Sequence, residues 1–204
     1  MGEIDSSTEK KILDVAEELF LEKGFAMTST VEIAKKAGCN QALVHYYYRT
    51  KDKLFEMVFE KKIKLFISTF LTTDDSLSFE ENLRRKIEAH FELLRKNPKI
   101  PFLLFNELLT NEKRLKSFVE RIIEFPKALF AKLSSELQEE IKRGNIRPLE
   151  PIDLMLTIIS LNVTLFLATP IFRGIAKFSE EELDAFYEKR KKENVRIILG
   201  SLKP

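Results

Sequence analysis

The fold of this chain is decided by the stretch Thr28–Tyr48, which reads TSTVEIAKKAGCNQALVHYYY. Ser29 and Asn40 are residue types that cap the start of a helix, and Gly38 supplies the positive φ of a tight turn between two short helices. Ala34 is small enough to let those helices approach closely. The stretch therefore predicts a helix-turn-helix, whose second helix enters the major groove of DNA.

A first helix is predicted ahead of this stretch. Its apolar stripe follows the helical repeat and comprises Ile12, Val15, Ala16, Leu19 and Phe20. Ser6 and Glu9 form a capping box at its start, and Gly24 ends it as a left-handed C-cap. Phe25 is then expected to fill a small core. Three such helices make an N-terminal helix-turn-helix domain, which we place at residues 1–52.

The second helix of the motif is predicted to leave an unusual face in solvent. Counted from the Asn40 cap, the helical repeat places Val44, Tyr47 and Tyr48 on the inward side. The outward residues, here called the reading face, are Gln41, Ala42, Leu43, His45 and Tyr46. An exposed alanine–leucine pair is odd on a solvated surface and is expected on a surface that contacts bases.

The chemistry of the reading face suits base recognition. Gln41 can form a bidentate pair with adenine, and Ala42 or Leu43 can meet the methyl group of thymine. His45 and Tyr46 can reach phosphates or bases. A surface histidine without a role is the alternative for His45, and packing alone is the alternative for the tyrosines.

Phosphate contacts are predicted beside the reading face. The hydroxyls of Thr28 and Ser29 stand at a helix N-terminus, which attracts phosphate, and Asn40 stands at the next one. Lys51 opens the following helix, where the helix dipole disfavours a cation, so a phosphate is its expected partner. Simple capping and an ordinary solvated lysine are the alternatives.

The N-terminal residues resemble a known family. The pattern ILDVAEELF from Ile12, KGF from Lys23, the stretch quoted above and the KL at Lys53 is similar to the DNA-binding domain of TetR-type transcriptional regulators. The family often has Ser at position 40, Gly or Thr at 42 and 43, and Tyr at 45. Asn40 is an equivalent cap, but the other differences alter the reading face, so no relative's operator is carried over.

Composition and charge fit this resemblance. The 204 residues are 44% hydrophobic and 32% charged, with only 6 glycines, which indicates an all-α protein. The net charge of +2 confines any DNA-binding surface to a local patch. Between positions 27 and 53, five basic residues and two acidic ones leave a local excess of three positive charges.

The rest of the chain is predicted to be helical throughout. Helices are expected at 52–71, 79–96, 102–111, 118–143 with a bend at Pro126, 151–170 and 179–199. With the N-terminal three this makes about nine helices. The resemblance implies that residues 53–204 form a ligand-binding and dimerisation domain.

One helix of this domain is apolar almost all round. Such a helix must be covered on most sides, and a two-fold homodimer covers it efficiently. The predicted dimer interface comprises Leu154, Ile158, Leu161, Leu165, Phe186, Val195 and Ile198. A membrane span is the alternative for this helix, but its Ser, Thr, Asn and Pro residues favour a buried helix, and no membrane partner is expected.

Phenylalanine is over-used, with 17 copies and no tryptophan. Core packing explains most of these rings, while the functional alternative is an aromatic cavity for a small hydrophobic ligand. The predicted ligand pocket comprises Phe66, Phe70, Phe91, Phe105, Phe125, Asn162 and Phe166.

The sequence holds little that suggests catalysis. It has two histidines and one cysteine, and it lacks zinc-protease, phosphate-loop and paired-cysteine motifs, so we expect no enzyme, metal or cofactor. The single Cys39 and the polar, acidic N-terminus fit a cytoplasmic protein. The predicted function is a dimeric repressor that binds a pseudo-palindromic operator and is released by a hydrophobic ligand. The alternative is a helical adaptor whose helix-turn-helix no longer binds DNA.

Overall fold

In the computed structural model, residues 2–71, 73–122 and 124–204 are described, with the backbone alone for residues 2–6, 114, 117, 118, 121, 122, 124–126, 128 and 129. These residues form helices and no strand, which confirms the predicted all-α class. The helices are α1 (Gly2–Met27), α2 (Thr30–Ala37), α3 (Gln41–Tyr48), α4 (Lys51–Leu71), α5 (Phe79–Lys96), α6 (Ile100–Thr110), α7 (Glu112–Ile122), α8 (Glu124–Lys142), α9 (Pro151–Ala176) and α10 (Glu180–Ser201).

Several boundaries differ from the sequence-based prediction. The helical region expected at 118–143 begins earlier, at Glu112, and the structure describes it as α7 and α8 on either side of residue 123. Helix α9 continues to Ala176, beyond the predicted end at Pro170. The helix α1 begins at Gly2, so Ser6 lies inside it rather than at its cap. Gly24 interrupts α1 with φ 79° and ψ 174°, which is a positive-φ break but not a left-handed cap.

Two compact units divide the chain. The first runs to Leu65 and also includes Phe102–Val119, and the second comprises Phe66–Pro101 and Glu120–Pro204. The helix α4 therefore contributes residues to both units. The domain boundary after residue 52 stays a prediction.

The core of the first unit forms where α1, α2 and α3 meet. Its buried apolar side chains from these helices are Ile12, Ala16, Leu19, Phe20, Ile33, Ala34, Ala37, Val44 and Tyr48. Phe25 packs its ring against Phe20 and Phe55, with centroids 6.0 and 5.1 Å away, as the sequence predicted. The Tyr48 hydroxyl donates to the carbonyl oxygen of Glu9, 2.8 Å away, and so ties α3 to α1.

An ion-pair cluster joins α1 to the first half of α4. Glu17 pairs with Lys62, which is buried, and with Lys61 at 3.0 Å. Burial raises the pKa of Glu17, but the hydrogen bonds from the two lysines outweigh it and lower the pKa below its ordinary value. The carboxylate is therefore charged at neutral pH and compensates a lysine that the fold removes from water.

The core of the second unit is aromatic and lies between α5, α9 and α10. Phe91 and Phe166 pack with ring centroids 5.2 Å apart, and Tyr187 lies 5.3 Å from Phe166. Leu94, Val163, Leu165 and Leu183 complete the buried cluster. Helix α9 is long and apolar enough to cross a membrane, with a mean hydropathy of 2.0. The buried side of α9 packs in this core.

A directional hydrogen-bond chain runs through the same unit. Arg190 donates to Asn194 Oδ1 at 2.8 Å, and Asn194 Nδ2 donates to Asn162 Oδ1 at 2.9 Å. Asn162 Nδ2 in turn lies 3.1 Å from Nδ1 of the buried His90. Because a guanidinium can only donate, the polarity passes through both amides and makes His90 Nδ1 an acceptor. The neutral ring therefore carries its hydrogen on Nε2.

Burial lowers the pKa of His90 to about 3, so folding keeps this ring neutral. The unfolded chain takes up a proton near pH 6.5, and stability contributed by the neutral ring is present above that pH and is lost as the pH falls towards 3. We expect the free energy of unfolding to fall by about 1.4 kcal/mol for each pH unit below 6 on account of this ring alone.

Urea unfolding at pH 7, 6 and 5 measures the effect, with His90→Leu as the comparison. The variant retains every carboxylate, so its smaller dependence on pH isolates the histidine. Equal pH dependence in the two proteins would contradict a buried neutral His90.

Candidate nucleic-acid interface

The turn between α2 and α3 has the predicted geometry. Ser29 caps α2 by accepting from the Glu32 amide at 3.2 Å, and Gly38 adopts the left-handed conformation with φ 71° and ψ 33°. Asn40 Oδ1 accepts from the Leu43 amide at 2.9 Å and so caps α3. The local sequence alone sets these features, since caps and positive φ are short-range requirements.

The helix α3 presents the reading face to solvent. Val44 and Tyr48 are buried, while Gln41, Ala42 and His45 are exposed. Tyr46 is 66% exposed, Leu43 is half-buried and Tyr47, which we expected on the inward side, is only half-buried too. The structure thus gathers the five predicted residues on one side of α3.

A chain of polar contacts links this face to its neighbours. Gln41 Nε2 lies 3.0 Å from the hydroxyl of Thr30 on α2 and 3.3 Å from His45 Nε2. His45 Nδ1 lies 3.1 Å from the carbonyl oxygen of Arg49. The sequence indicated neither contact, because the one to Thr30 depends on how α2 and α3 cross and the one to Arg49 depends on the positive φ of that residue.

The side chain of Thr28 is not available to DNA, and its assignment to the interface was wrong. It is 1% exposed, and its hydroxyl donates to the carbonyl oxygen of Gly24 at 2.8 Å and lies 3.2 Å from that of Leu19. Ser29, the next residue, is exposed. Thr28 therefore closes the end of α1 while Ser29 caps α2.

Lys51 has partners inside the first unit, so its position at the start of α4 does not by itself require a phosphate. Its ammonium donates to the carbonyl oxygens of Phe25 and Thr28, each 2.9 Å away, and lies 4.0 Å from the centre of the Phe25 ring. These carbonyls offset the unfavourable position of a cation at the start of α4. The lysine joins the end of α1 to the start of α4.

Arg49 is the functional candidate that the sequence analysis missed. It is exposed and has φ 63° and ψ −56°, and the Thr50 amide lies 2.6 Å from the Tyr48 carbonyl oxygen. This is a γ-turn, a rare and strained conformation for a residue other than glycine. Since arginine does not signal a positive φ, only its charge beside the reading helix could have pointed to it.

The positive charge around α3 is partly used within the fold. Lys36 pairs with Glu18 at 2.7 Å, Lys53 pairs with Glu56 at 3.0 Å, and Lys23 pairs with Glu32. The field that a phosphate meets is therefore weaker than the sequence count implies. The described side chains contain no group of three or more His, Cys, Asp or Glu residues that could hold a metal ion.

The predicted ligand pocket is not assembled as one cavity. Phe91 and Phe166 fill the core of the second unit, and Phe66 and Phe70 pack on the His90 ring with centroids 4.6 and 5.0 Å away. Asn162 is engaged in the hydrogen-bond chain, and the cavity beside Phe70 has a volume of only about 10 Å³. Phe105 is 45% exposed and belongs to the first unit. The side chain of Phe125 lies outside the described residues.

Most residues of the predicted dimer interface are already buried within their own chain. Leu154, Ile158, Leu165, Val195 and Ile198 are buried in the core of their own chain, and Leu161 and Phe186 are half-buried. The apolar side chains that α9 and α10 leave exposed are Ile152, Leu156, Leu167, Ile171, Phe172, Ile175 and Ile197. A helix that is apolar all round gives no sequence signal for which side its own chain covers.

A larger cleft of about 380 Å³ lies in the first unit. The residues 20–26 at the end of α1 line one side, and Phe102, Leu103, Asn106 and Glu107 of α6 line the other. Nothing in the sequence indicated this cleft, because its walls are far apart along the chain.

Comparison with known proteins points to one family. Residues 12–58 match the family described as bacterial regulatory proteins, tetR family. The chain is 26% identical over 143 residues, 70% of its length and 73% of the relative's, to the uncharacterized HTH-type transcriptional regulator YhgD of Bacillus subtilis. It is 36% identical over 90 residues, 44% of its length and 47% of the relative's, to the HTH-type transcriptional repressor SCO4008 of Streptomyces coelicolor.

The fold is similar to solved structures of the same kind. The putative transcriptional regulator SCO4942 from Streptomyces coelicolor aligns with a TM-score of 0.70 and 20% identity, over 97% of this chain and 99% of that one. At this level of identity the likeness concerns the fold alone.

The lysine contact gives a stability prediction with a matched control. Lys51→Met removes two charged hydrogen bonds to backbone carbonyls, and we expect the free energy of unfolding of the first unit to fall by about 2 kcal/mol. Lys53→Met removes only an exposed ion pair and should cost about 0.5 kcal/mol or less.

Tyrosine fluorescence during urea unfolding measures both, because three of the four tyrosines lie in α3. Equal losses in the two variants would show that Lys51 does not hold α1 to α4.

Proposed function

We propose that this chain is a TetR-type transcriptional regulator, namely a cytoplasmic repressor that binds a pseudo-palindromic DNA operator, because residues 12–58 match that family and the relative aligned over 70% of the chain is a transcriptional regulator. The observation that carries the proposal is the exposed reading face on a helix held by two caps and a left-handed turn. Such a helix has the width that the major groove admits, and its reading face is exposed.

The contacts divide by chemistry. Gln41, Ala42 and Leu43, in the first turn of α3, face base edges. His45 and Tyr46 follow and reach bases or the adjoining backbone, and Ser29 and Asn40 offer the N-termini of α2 and α3 to phosphates. Arg49 adds an exposed charge at the end of α3. Phosphate contacts of this kind position the helix, while the base contacts supply specificity.

The operator's symmetry would come from a homodimer. The exposed Ile152 and Leu156 at the start of α9, with Leu167, Ile171 and Ile175 further along, form an apolar strip that monomers rarely leave in water. Because one patch can meet its own copy about a two-fold axis, the strip favours a dimer through α9 and the adjacent part of α10. Two reading helices would then address two half-sites.

The releasing ligand would act on the second unit. His90 Nε2 carries a hydrogen, is buried and has no hydrogen-bond partner among the described residues. A buried donor left unpaired costs about 1–3 kcal/mol, which a ligand oxygen would recover. The rings of Phe66 and Phe70 pack on the His90 ring, so a ligand that reaches this donor would have to displace them. We therefore expect a hydrophobic effector with a carbonyl or carboxylate oxygen, which would shift the population of conformers towards one with lower operator affinity.

Selection of binding sites from random duplex DNA by the intact protein tests DNA recognition. We expect one inverted repeat, with affinity that falls steeply as salt rises. Gln41→Ala with Tyr46→Ala should lower affinity for that repeat by about tenfold or more, whereas Lys189→Ala, an exposed change on α10, should leave it unchanged. A folded protein that enriches no sequence would favour the adaptor role instead.

The dimer is tested by placing charge on the exposed strip. Leu156→Glu with Ile171→Glu should convert the protein to a monomer in analytical ultracentrifugation and reduce its affinity for the inverted repeat by about a hundredfold, because a two-site contact becomes a one-site contact. Leu109→Glu, on the exposed side of α6, is the matched control. A dimer that persists in the double variant would place the interface elsewhere.

A further inference from the structure

The orientation of Gln41 is fixed by a carbonyl at the far end of α3. The Arg49 carbonyl oxygen can only accept, so His45 Nδ1, 3.1 Å away, must carry a hydrogen. A neutral imidazole then has its lone pair on Nε2. This atom lies 3.3 Å from the side-chain amide of Gln41 and can only accept from it.

The side-chain amide of Gln41 is therefore not free to rotate. If its oxygen faced His45, two acceptors would meet, so the nitrogen must face the ring. The same nitrogen lies 3.0 Å from the Thr30 hydroxyl on α2. Both amide hydrogens are thus engaged within the protein, and Gln41 Oε1 is the polar atom that remains for a partner in solvent.

We propose that His45 is a positioning residue that holds Gln41 as a pure hydrogen-bond acceptor, so that Gln41 selects a base with an amino group in the major groove. Adenine N6 and cytosine N4 are such groups, while guanine and thymine present oxygens there. The inference rests on the proposed DNA-binding function and specifies the reading of one base. It replaces the bidentate pairing with adenine that the sequence alone suggested, which would need a free amide hydrogen.

The strained turn at Arg49 supplies the carbonyl oxygen that orients His45. The φ of 63° and ψ of −56° end α3 at Tyr48 and leave the Arg49 carbonyl within reach of the histidine ring. The chain from Arg49 through His45 and Gln41 to Thr30 spans the exposed side of α3 and reaches α2. The acceptor is therefore set before DNA arrives, and no side-chain order has to be gained on binding.

The test measures base preference at each position of the selected half-site, using the intact protein and competition between duplexes that differ by one base pair. We expect one position at which adenine or cytosine on the contacted strand is favoured over guanine or thymine by about tenfold. His45→Leu should reduce that ratio to about twofold, because the freed amide can present either its oxygen or its nitrogen, while the preferences at other positions stay unchanged.

A double-mutant cycle shows whether His45 acts through Gln41. In a Gln41→Met background, His45→Leu should change no base preference further. A preference for guanine or thymine, an unchanged ratio in His45→Leu, or an equal loss at every position would each overturn the inference. The last result would mean that His45 merely holds α3 together.

The nitrogen chemical shifts of His45 provide a readout that does not need DNA. The free protein at pH 8 should show the hydrogen on Nδ1, and a hydrogen on Nε2 would overturn the inference whatever the DNA result. If instead the tautomer is as expected and no DNA sequence is enriched, the proposed function fails, the reading role falls with it, and only the side-chain geometry stands.

Discussion

The contact of the Lys51 ammonium with the carbonyl oxygens of Phe25 and Thr28 is the constraint on which the N-terminal unit depends. It joins three points of the chain: Phe25, which follows the break in α1 at Gly24; Thr28, which precedes the cap of α2; and the start of α4. Thr28 reinforces the same corner through its own hydroxyl. The contact holds α1, α2 and α4 together at this corner. The burial of Val44 and Tyr48 in the core then fixes the orientation of α3.

Two hydrogen-bond chains in this protein have a fixed donor-to-acceptor order, because each ends on a group that can only accept or only donate. In the first unit, the Arg49 carbonyl accepts, which sets the tautomer of His45 and then the side-chain orientation of Gln41. In the second, the Arg190 guanidinium donates, which sets both asparagines and leaves His90 with its hydrogen on the buried Nε2. The accepting carbonyl thus puts the hydrogen of His45 on Nδ1, and the donating guanidinium leaves the hydrogen of His90 on Nε2.

The sequence predicted what depends on neighbours along the chain. The caps at Ser29 and Asn40, the turn at Gly38 and the buried stripe of α1 followed from residue type and spacing. It failed where long-range packing decides. It offered the Thr28 hydroxyl to DNA although the fold buries it. It also grouped several phenylalanines into one predicted pocket, although their rings make separate packing contacts in the structure.

The sequence by itself determined the helical class, the helix-turn-helix and the residues on the exposed side of α3, because short-range capping and periodicity suffice for each. Only the tertiary structure decided which side of α9 stays exposed, since a helix that is apolar all round carries no directional signal. The tertiary structure also decided which atoms Gln41 and His90 present. Hydrogen-bond polarity is set by the group across the contact, and that group is brought there by folding.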